Sequence, residues 1–222
     1  MKTINKKISV QQTFLTVLFV ASLLISNVIT SKQILLPFNI TMTGAIFIFP
    51  ITYILSDVFS EVYGYRWSRI TCYLAFIMNL LMVAMFTLAI KSPSPSYWTD
   101  QAAFETVLGS TPRVLIASLL AFVVGDFAND KVFKKMKAKY QDSHKHFGLR
   151  AIVSSLVGEF VDSLIFLPIA FFGKMPIKTL VIMTLTQVFI KTGYEVIILP
   201  LTTVLVKKVS LREQKLLEKD TN

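Results

Sequence analysis

The amino-acid sequence predicts an all-α protein that crosses a membrane several times, and two observations carry this prediction. Hydrophobic residues make up 54% of the 222-residue chain and charged residues 16%, whereas a soluble domain carries about a quarter charged residues. Apolar runs of about 20 residues, the length needed to cross a bilayer as a helix, recur along the chain. A membrane β-barrel would show alternating hydrophobicity, and these runs do not alternate. We therefore expect a bundle of six transmembrane helices.

The six predicted spans are separated by polar links and form a single integral membrane domain over residues 1–222. The first span follows three lysines, as in a signal peptide, but no small-residue cleavage site comes after it, so we expect it to be retained. Pro50 interrupts the second span, and the fourth is short enough that we expect it to extend into the following link. The spans cover about residues 14–31, 42–62, 68–90, 113–130, 151–172 and 177–206.

The distribution of positive charge predicts the orientation of the chain. The formal net charge is +10, yet the basic residues cluster between and after the apolar runs, which is typical of a membrane protein rather than a nucleic-acid-binding one. Seventeen lysines and arginines lie in the N-terminus, two of the links and the C-terminal tail, against five in the alternate links. Because cytoplasmic segments are enriched in lysine and arginine, we expect both termini to be cytoplasmic and the surrounding partner to be the lipid bilayer.

Four ionisable residues fall near the middle of the last two spans. Glu159 and Asp162 lie in the fifth span, and Lys191 and Glu195 lie in the sixth. A charge at this depth costs about 2.5–3.5 kcal/mol on insertion scales, so such groups are normally functional or paired. One lysine cannot neutralise three carboxylates, and some of them must be protonated, hydrated or facing a ligand. We therefore predict a ligand site or proton relay between these spans.

Two further pairs of carboxylates lie nearer the cytoplasmic ends of their spans. Asp57 and Glu61 share a helix face because they are four residues apart, and Asp126 and Asp130 repeat this spacing in the fourth span. Basic residues follow both pairs in the sequence. Solvation or ion pairing therefore explains them as well as a role in the site or in an inner gate does. Asp57 and Glu61 are kept as candidates of second rank.

Uncharged side chains complete the candidate site. Asn27 and Asn79 lie in the first and third spans, where an amide either bonds between helices or faces a cavity. Phe166 and Tyr194 lie close in sequence to the charged positions and offer rings on which a planar ligand stacks. We include Asn27, Phe166 and Tyr194 among the predicted substrate-binding residues.

Enzymatic classes are disfavoured by the sequence. It contains no Gly-x-x-x-x-Gly-Lys phosphate loop and no serine–histidine pair at membrane depth. His144 and His146 lie in a basic link without further metal ligands, so we expect neither a metal nor a cofactor. The lone Cys72 is most simply a small core residue.

The predicted site suits a planar polar solute with clustered N–H donors. A carboxylate accepts two parallel N–H bonds, as from arginine or from the N1–H and 2-amino groups of a guanine-type base. We expect Glu159 or Asp162 to play this part. Lys191 would either donate to a ligand oxygen or balance Glu195.

Three segments resemble the motifs of the queuosine precursor transporters, the vitamin-uptake-transporter family of bacterial inner-membrane proteins. They are FPITYILSDVFSEVYG at residues 49–64, GEFVDS at 158–163 and KTGYEVIILP at 191–200. The resemblance implies import of 7-deazaguanine bases, such as 7-cyano- or 7-aminomethyl-7-deazaguanine, for salvage into tRNA modification. It also implies a fold similar to the six-helix substrate-binding subunits of energy-coupling-factor vitamin transporters.

The sequence departs from those subunits in the motif that docks an ATPase. They often carry Ala-x-x-x-Ala in the first span, whereas here that spacing occurs at Ala117 and Ala121 in the fourth. Facilitated or ion-coupled uptake is therefore favoured over an ATPase module. Two alternatives stay open, a proton-coupled carrier of another vitamin-like solute and a non-transporting scaffold subunit. The choice between a monomer and a homodimer also stays open.

Overall fold

The computed structural model describes residues 8–37, 40–139 and 147–221, and these are mostly helical. A short antiparallel hairpin, β1 and β2, pairs Gln33 with Thr43 and Leu36 with Ile40. The helices are α1 (Val10–Ile29), α2 (Phe49–Val58), α3 (Tyr65–Lys91), α4 (Gln101–Leu108), α5 (Thr111–Lys139), α6 (Phe147–Phe171) and α7 (Ile177–Thr221); β1 is Gln33–Leu36 and β2 is Ile40–Thr43.

Four helical stretches are long and apolar enough to cross a membrane. They are Val10–Ile29, Arg66–Lys91, Gln101–Asn129 and Ile177–Ile198. The chain is therefore a polytopic helical membrane protein, as its composition predicts. The count of six spans, which needs α2 and α6 to cross as well, stays a prediction.

The second predicted span differs most from the structure. Residues 42–62 were expected to form one helix interrupted by Pro50, but Met42 and Thr43 belong to β2 and a 3₁₀ turn, Gly44–Phe47, follows. Helix α2 begins at Phe49, with Pro50 in its first turn, where the missing N–H costs nothing. A π-helical turn, Phe59–Tyr63, then leads to α3. The hairpin and the π turn both correct the expectation of purely α-helical structure.

The fourth and sixth predicted spans are longer in the structure. Helix α5 continues to Lys139, well into the basic link that follows residues 113–130. Helix α7 continues from the apolar segment through the charged tail to Thr221. Its Glu213 carboxylate accepts hydrogen bonds from the hydroxyl of Ser9, before α1, and from that of Tyr63, at 2.8 Å for the latter. The C-terminal helix is thus fixed to the start of the chain.

Two hydrophobic cores hold the bundle together, and each supplies one side of the cavity described below. The first joins α5, α6 and α7 around the buried Leu167 and Met183, and includes Phe166. The second joins α1, α2, α3 and the far part of α7 around Val58 and Phe59, and includes Phe19.

Helices α5 and α6 approach each other closely because small residues line their contact. A β-carbon added to Gly125 would lie 2.9 Å from the carbonyl oxygen of Gly158, and one added to Gly158 would lie 2.9 Å from Cβ of Asn129. Ala117 and Ala121 are fully buried in the same core. Small side chains at such contacts let helix backbones approach in membranes. This packing fixes α6, and with it Glu159 and Asp162, against α5.

We expect Gly158→Ala to destabilise the protein by about 1–3 kcal/mol, the usual cost of overpacking. Gly193→Ala is the matched control, because Gly193 lies within α7 with no atom near the added methyl group. Thermal unfolding of the two variants in detergent measures the difference. An equal loss of stability in both variants would show that close packing is not the cause.

Candidate functional site

A cavity of about 380 Å³, lined by both apolar and polar side chains, lies between α1, α2, α3, α5, α6 and α7. Its volume falls in the range of small-molecule sites, about 300–1,000 Å³. Aromatic rings contribute apolar surface, and hydroxyl, amide and charged groups converge between them. The charged and amide groups of the lining are Asn27, Asp57, Asp126, Asn129, Glu159, Asp162, Gln187 and Lys191.

An ion pair joins α6 and α7 at the wall of this cavity. The ammonium Nζ of Lys191 lies 3.0 Å from Oδ2 of Asp162. The Lys191 residue is only 7% exposed, and the side chain of Asp162 is 29% exposed. Tyr53 on α2 also interacts with Lys191. A buried charge of this kind requires such a partner, because burial without one is strongly unfavourable.

The structure therefore identifies Asp162 as an ion-pair partner of Lys191. The sequence had suggested Glu195, four residues further along α7, as the group that Lys191 balances. The side chain of Glu195 lies outside the part of the chain that the structure describes.

Glu159 lies one turn before Asp162 on α6, and the two carboxylates line the same cavity. The hydroxyl of Thr192 donates a hydrogen bond to Glu159 at 3.3 Å. This is a long bond compared with the usual 2.5–3.0 Å for a hydroxyl donor. The two acids predicted from the fifth span are thus brought together beside Lys191, although their neighbours differ.

A second ion pair lies at α5. Arg69 on α3 bonds the carboxylate of Asp126, and its guanidinium stands 5.9 Å from the centre of the Phe122 ring. Asp126 also lines the cavity. The expectation that Asp126 pairs with neighbouring basic residues is therefore confirmed for Arg69, but the residue faces the cavity as well.

The other predicted residues separate into two groups. Asn27, Asp57 and Phe166 line the cavity. The Asn27 amide also donates to Oδ1 of Asn79 at 2.5 Å, so it has both of the roles considered for it. Tyr194, 38% exposed, lines instead an adjoining pocket of about 20 Å³ that it shares with Lys191.

Glu61 is not among the residues that line the cavity, and its role in the site or in an inner gate stays a prediction. It is exposed and belongs to the π-helical turn Phe59–Tyr63. A π turn breaks the 3.6-residue phase, so the four-residue spacing no longer places Glu61 on the face of Asp57.

Tyr53 and Gln187 were not predicted, although both line the cavity. Gln187 did leave a signal in the sequence, since it is an uncharged polar residue inside the apolar run of the sixth span. Tyr53 left none, because aromatic residues are common throughout the spans.

The fold and the cavity define a polytopic helical membrane protein with a polar, ligand-sized site. A protein family described as "putative vitamin uptake transporter" matches residues 43–205, and the chain belongs to this family. It is also similar to the "probable queuosine precursor transporter" of Bacillus subtilis (strain 168), with 28% identity over 165 residues, 73% of this chain and 71% of that protein. No solved structure matches the chain.

These comparisons confirm the family that the three motifs indicated. All three motifs lie within the matched residues. Membership of a transporter family indicates a membrane uptake role and not an enzymatic one. The similarity to energy-coupling-factor subunits stays a prediction.

We expect Lys191→Met to lower the free energy of unfolding by about 3 kcal/mol. Breaking a buried pair costs about 3–5 kcal/mol, and the partial exposure of Asp162 favours the lower end. The double variant Lys191→Met with Asp162→Asn should recover part of the loss, because no uncompensated carboxylate remains. Lys178→Met, at an exposed lysine of the same helix, is the control. Thermal unfolding that shows no recovery in the double variant would contradict the pairing.

Proposed function

We propose that this protein imports queuosine precursors, 7-deazaguanine bases such as 7-cyano- or 7-aminomethyl-7-deazaguanine, for salvage into tRNA modification. The observation that carries the proposal is the pair of carboxylates on α6, Glu159 and Asp162, set beside the ammonium of Lys191 in one cavity. The family and the similarity to a probable queuosine precursor transporter support the same substrate class.

The contacts favour Glu159 as the acceptor of the N1–H and 2-amino groups of the base. Asp162 already holds the ammonium of Lys191 at 3.0 Å, whereas the bond from Thr192 to Glu159 is long, at 3.3 Å. A carboxylate accepts two parallel N–H bonds without changing its charge. Binding of the base at Glu159 leaves the ion pair between Lys191 and Asp162 in place, whereas binding at Asp162 would compete with that pair.

Lys191 is suited to the carbonyl oxygen on the same base. An ammonium group carries three N–H donors, so it can donate to a ligand oxygen while it remains beside Asp162. In this arrangement Asp162 orients Lys191 and Glu159 reads the donor edge. Phe166 and Tyr53 line the same cavity and supply ring surfaces for the planar base.

In this proposal the protein lies in the bacterial cytoplasmic membrane, with both termini on the cytoplasmic side. Uptake is facilitated or ion-coupled. Ala117 and Ala121, which have the spacing of an ATPase-docking motif, are fully buried in the hydrophobic core formed by α5, α6 and α7. This burial supports uptake without an ATPase module.

One observation also favours the alternative of a proton-coupled carrier of another vitamin-like solute. Asp57 and Asp126 line the cavity in addition to the two α6 carboxylates, and carboxylates of this kind serve as proton relays in transporters. Competition of uptake by free guanine analogues, but not by unrelated vitamins, separates the proposed substrate class from this alternative.

We expect Glu159→Gln to weaken binding of 7-cyano-7-deazaguanine by at least about tenfold, because hydrogen bonds to a charged group contribute about 1.5–3 kcal/mol. Thermal stabilisation of purified protein and uptake into cells measure the two consequences. Glu61→Gln is the matched control, since this glutamate lies outside the lining. Wild-type binding and transport in both Glu159→Gln and Lys191→Met would refute the site assignment.

The proposed orientation is tested by cysteine labelling in intact cells. In a Cys72→Ala background, Tyr97→Cys in the α3–α4 link should react with a membrane-impermeant maleimide, because this position is 82% exposed. Lys215→Cys near the end of α7 should react only after the membrane is permeabilised. The reverse pattern would place the termini outside.

A further inference from the structure

Gln187 on α7 is a buried carboxamide that the proposed contacts do not use. The residue is 1% exposed and lines the cavity. Neither its Nε2 nor its Oε1 has a hydrogen-bond partner among the residues that the structure describes. Buried polar groups are nearly always hydrogen-bonded, and leaving one unsatisfied costs about 1–3 kcal/mol. An unsatisfied amide at a cavity wall therefore needs an explanation.

The position of Gln187 places it beside the proposed ligand. It precedes Lys191 by one helical turn, so the two side chains share a face of α7. Both residues line the main cavity and the small adjoining pocket, together with Tyr53. Any base that contacts Lys191 is therefore within the same polar region as the carboxamide.

We infer that Gln187 reads the N3 and N9–H edge of a free 7-deazaguanine base, an inference that rests on the proposed function. A carboxamide presents one donor and one acceptor side by side. Glutamine and asparagine use this arrangement to form two hydrogen bonds to a base edge that has an acceptor beside a donor. With N1–H and the 2-amino group bound by the carboxylate, N3 and N9–H form the remaining edge of this kind.

This assignment makes Gln187 a specificity-determining residue. The N9–H donor exists in the free base and is lost when N9 carries a sugar or a methyl group. The Oε1 acceptor of Gln187 would then remain unpaired in a buried site. Sites that hydrogen-bond a ligand group reject analogues that lack it for this reason. The protein should therefore select bases over the corresponding nucleosides.

The test compares 7-cyano-7-deazaguanine with its 9-methyl derivative on purified full-length protein in detergent, with dissociation constants from calorimetric titration. The wild type should bind the free base at least about tenfold more tightly, since one unsatisfied buried acceptor costs about 1–3 kcal/mol. In Gln187→Met the two ligands should bind within about twofold of each other, because neither hydrogen bond to the edge is left. The melting temperature of ligand-free Gln187→Met should be no lower than that of the wild type, because no satisfied bond is removed.

Thr184→Val is the matched control. Thr184 is buried three residues earlier on α7, its hydroxyl donates to the carbonyl of Leu180 at 2.8 Å, and it does not line the cavity. This variant should keep the wild-type preference for the free base. A second variant, Gln187→Asn, keeps both polar atoms but withdraws them by one methylene, and should weaken free-base binding and reduce the preference for the free base over the 9-methyl ligand.

The outcomes separate this inference from the proposed function. If the wild type binds the free base and Gln187→Met keeps the tenfold preference, the role of Gln187 is refuted and the proposed function stands. If Gln187→Met lowers the ligand-free melting temperature, the amide is satisfied within the protein and the inference is likewise refuted. If the wild type binds neither ligand, the proposed function itself is refuted and the inference falls with it.

Discussion

The ion pair between Lys191 and Asp162 is the interaction on which the arrangement of the cavity depends. It joins α7 to α6, with 3.0 Å between Nζ of Lys191 and Oδ2 of Asp162, at the wall of the cavity. Neither charge is favourable there alone, so each fixes the position of the other. This pair sets the distance between the α6 carboxylates and the polar face of α7, which also carries Gln187.

The pair can act in this way because α6 is itself held in place. The glycines at the α5–α6 contact allow the two backbones to approach until a β-carbon would no longer fit. Gly158 directly precedes Glu159, and the β-carbon that Gly125 lacks would lie 3.2 Å from Cβ of Asp162. The same close contact between α5 and α6 therefore fixes the position of both carboxylates at the cavity wall. Packing on one side of α6 and charge on the other fix the acidic wall of the cavity.

The sequence revealed the charges of the site but not all of their partners. Lys191, Glu159 and Asp162 could be predicted because a charged residue inside an apolar run is conspicuous. The pairing of Lys191 with Asp162 depends on the rotation of α6 against α7, which tertiary packing decides. The position of Glu61 outside the cavity lining could not be foreseen, because a π turn cannot be read from the spacing of residues. The hairpin before α2 was missed for a similar reason, since its short apolar strands are indistinguishable from the start of a span.

The charge balance of the cavity argues for a ligand rich in donors. The described lining holds four carboxylates, those of Asp57, Asp126, Glu159 and Asp162, and one ammonium. Arg69 adds a second cation through its pair with Asp126. The lining of the cavity, as far as the structure describes it, is therefore rich in hydrogen-bond acceptors. Such a lining favours a solute that presents clustered N–H donors, which is the chemistry of the substrate class proposed above. A scaffold subunit that used these residues only to join helices would not need a ligand-sized cavity between them, and this cavity is the physical reason to favour a transporter.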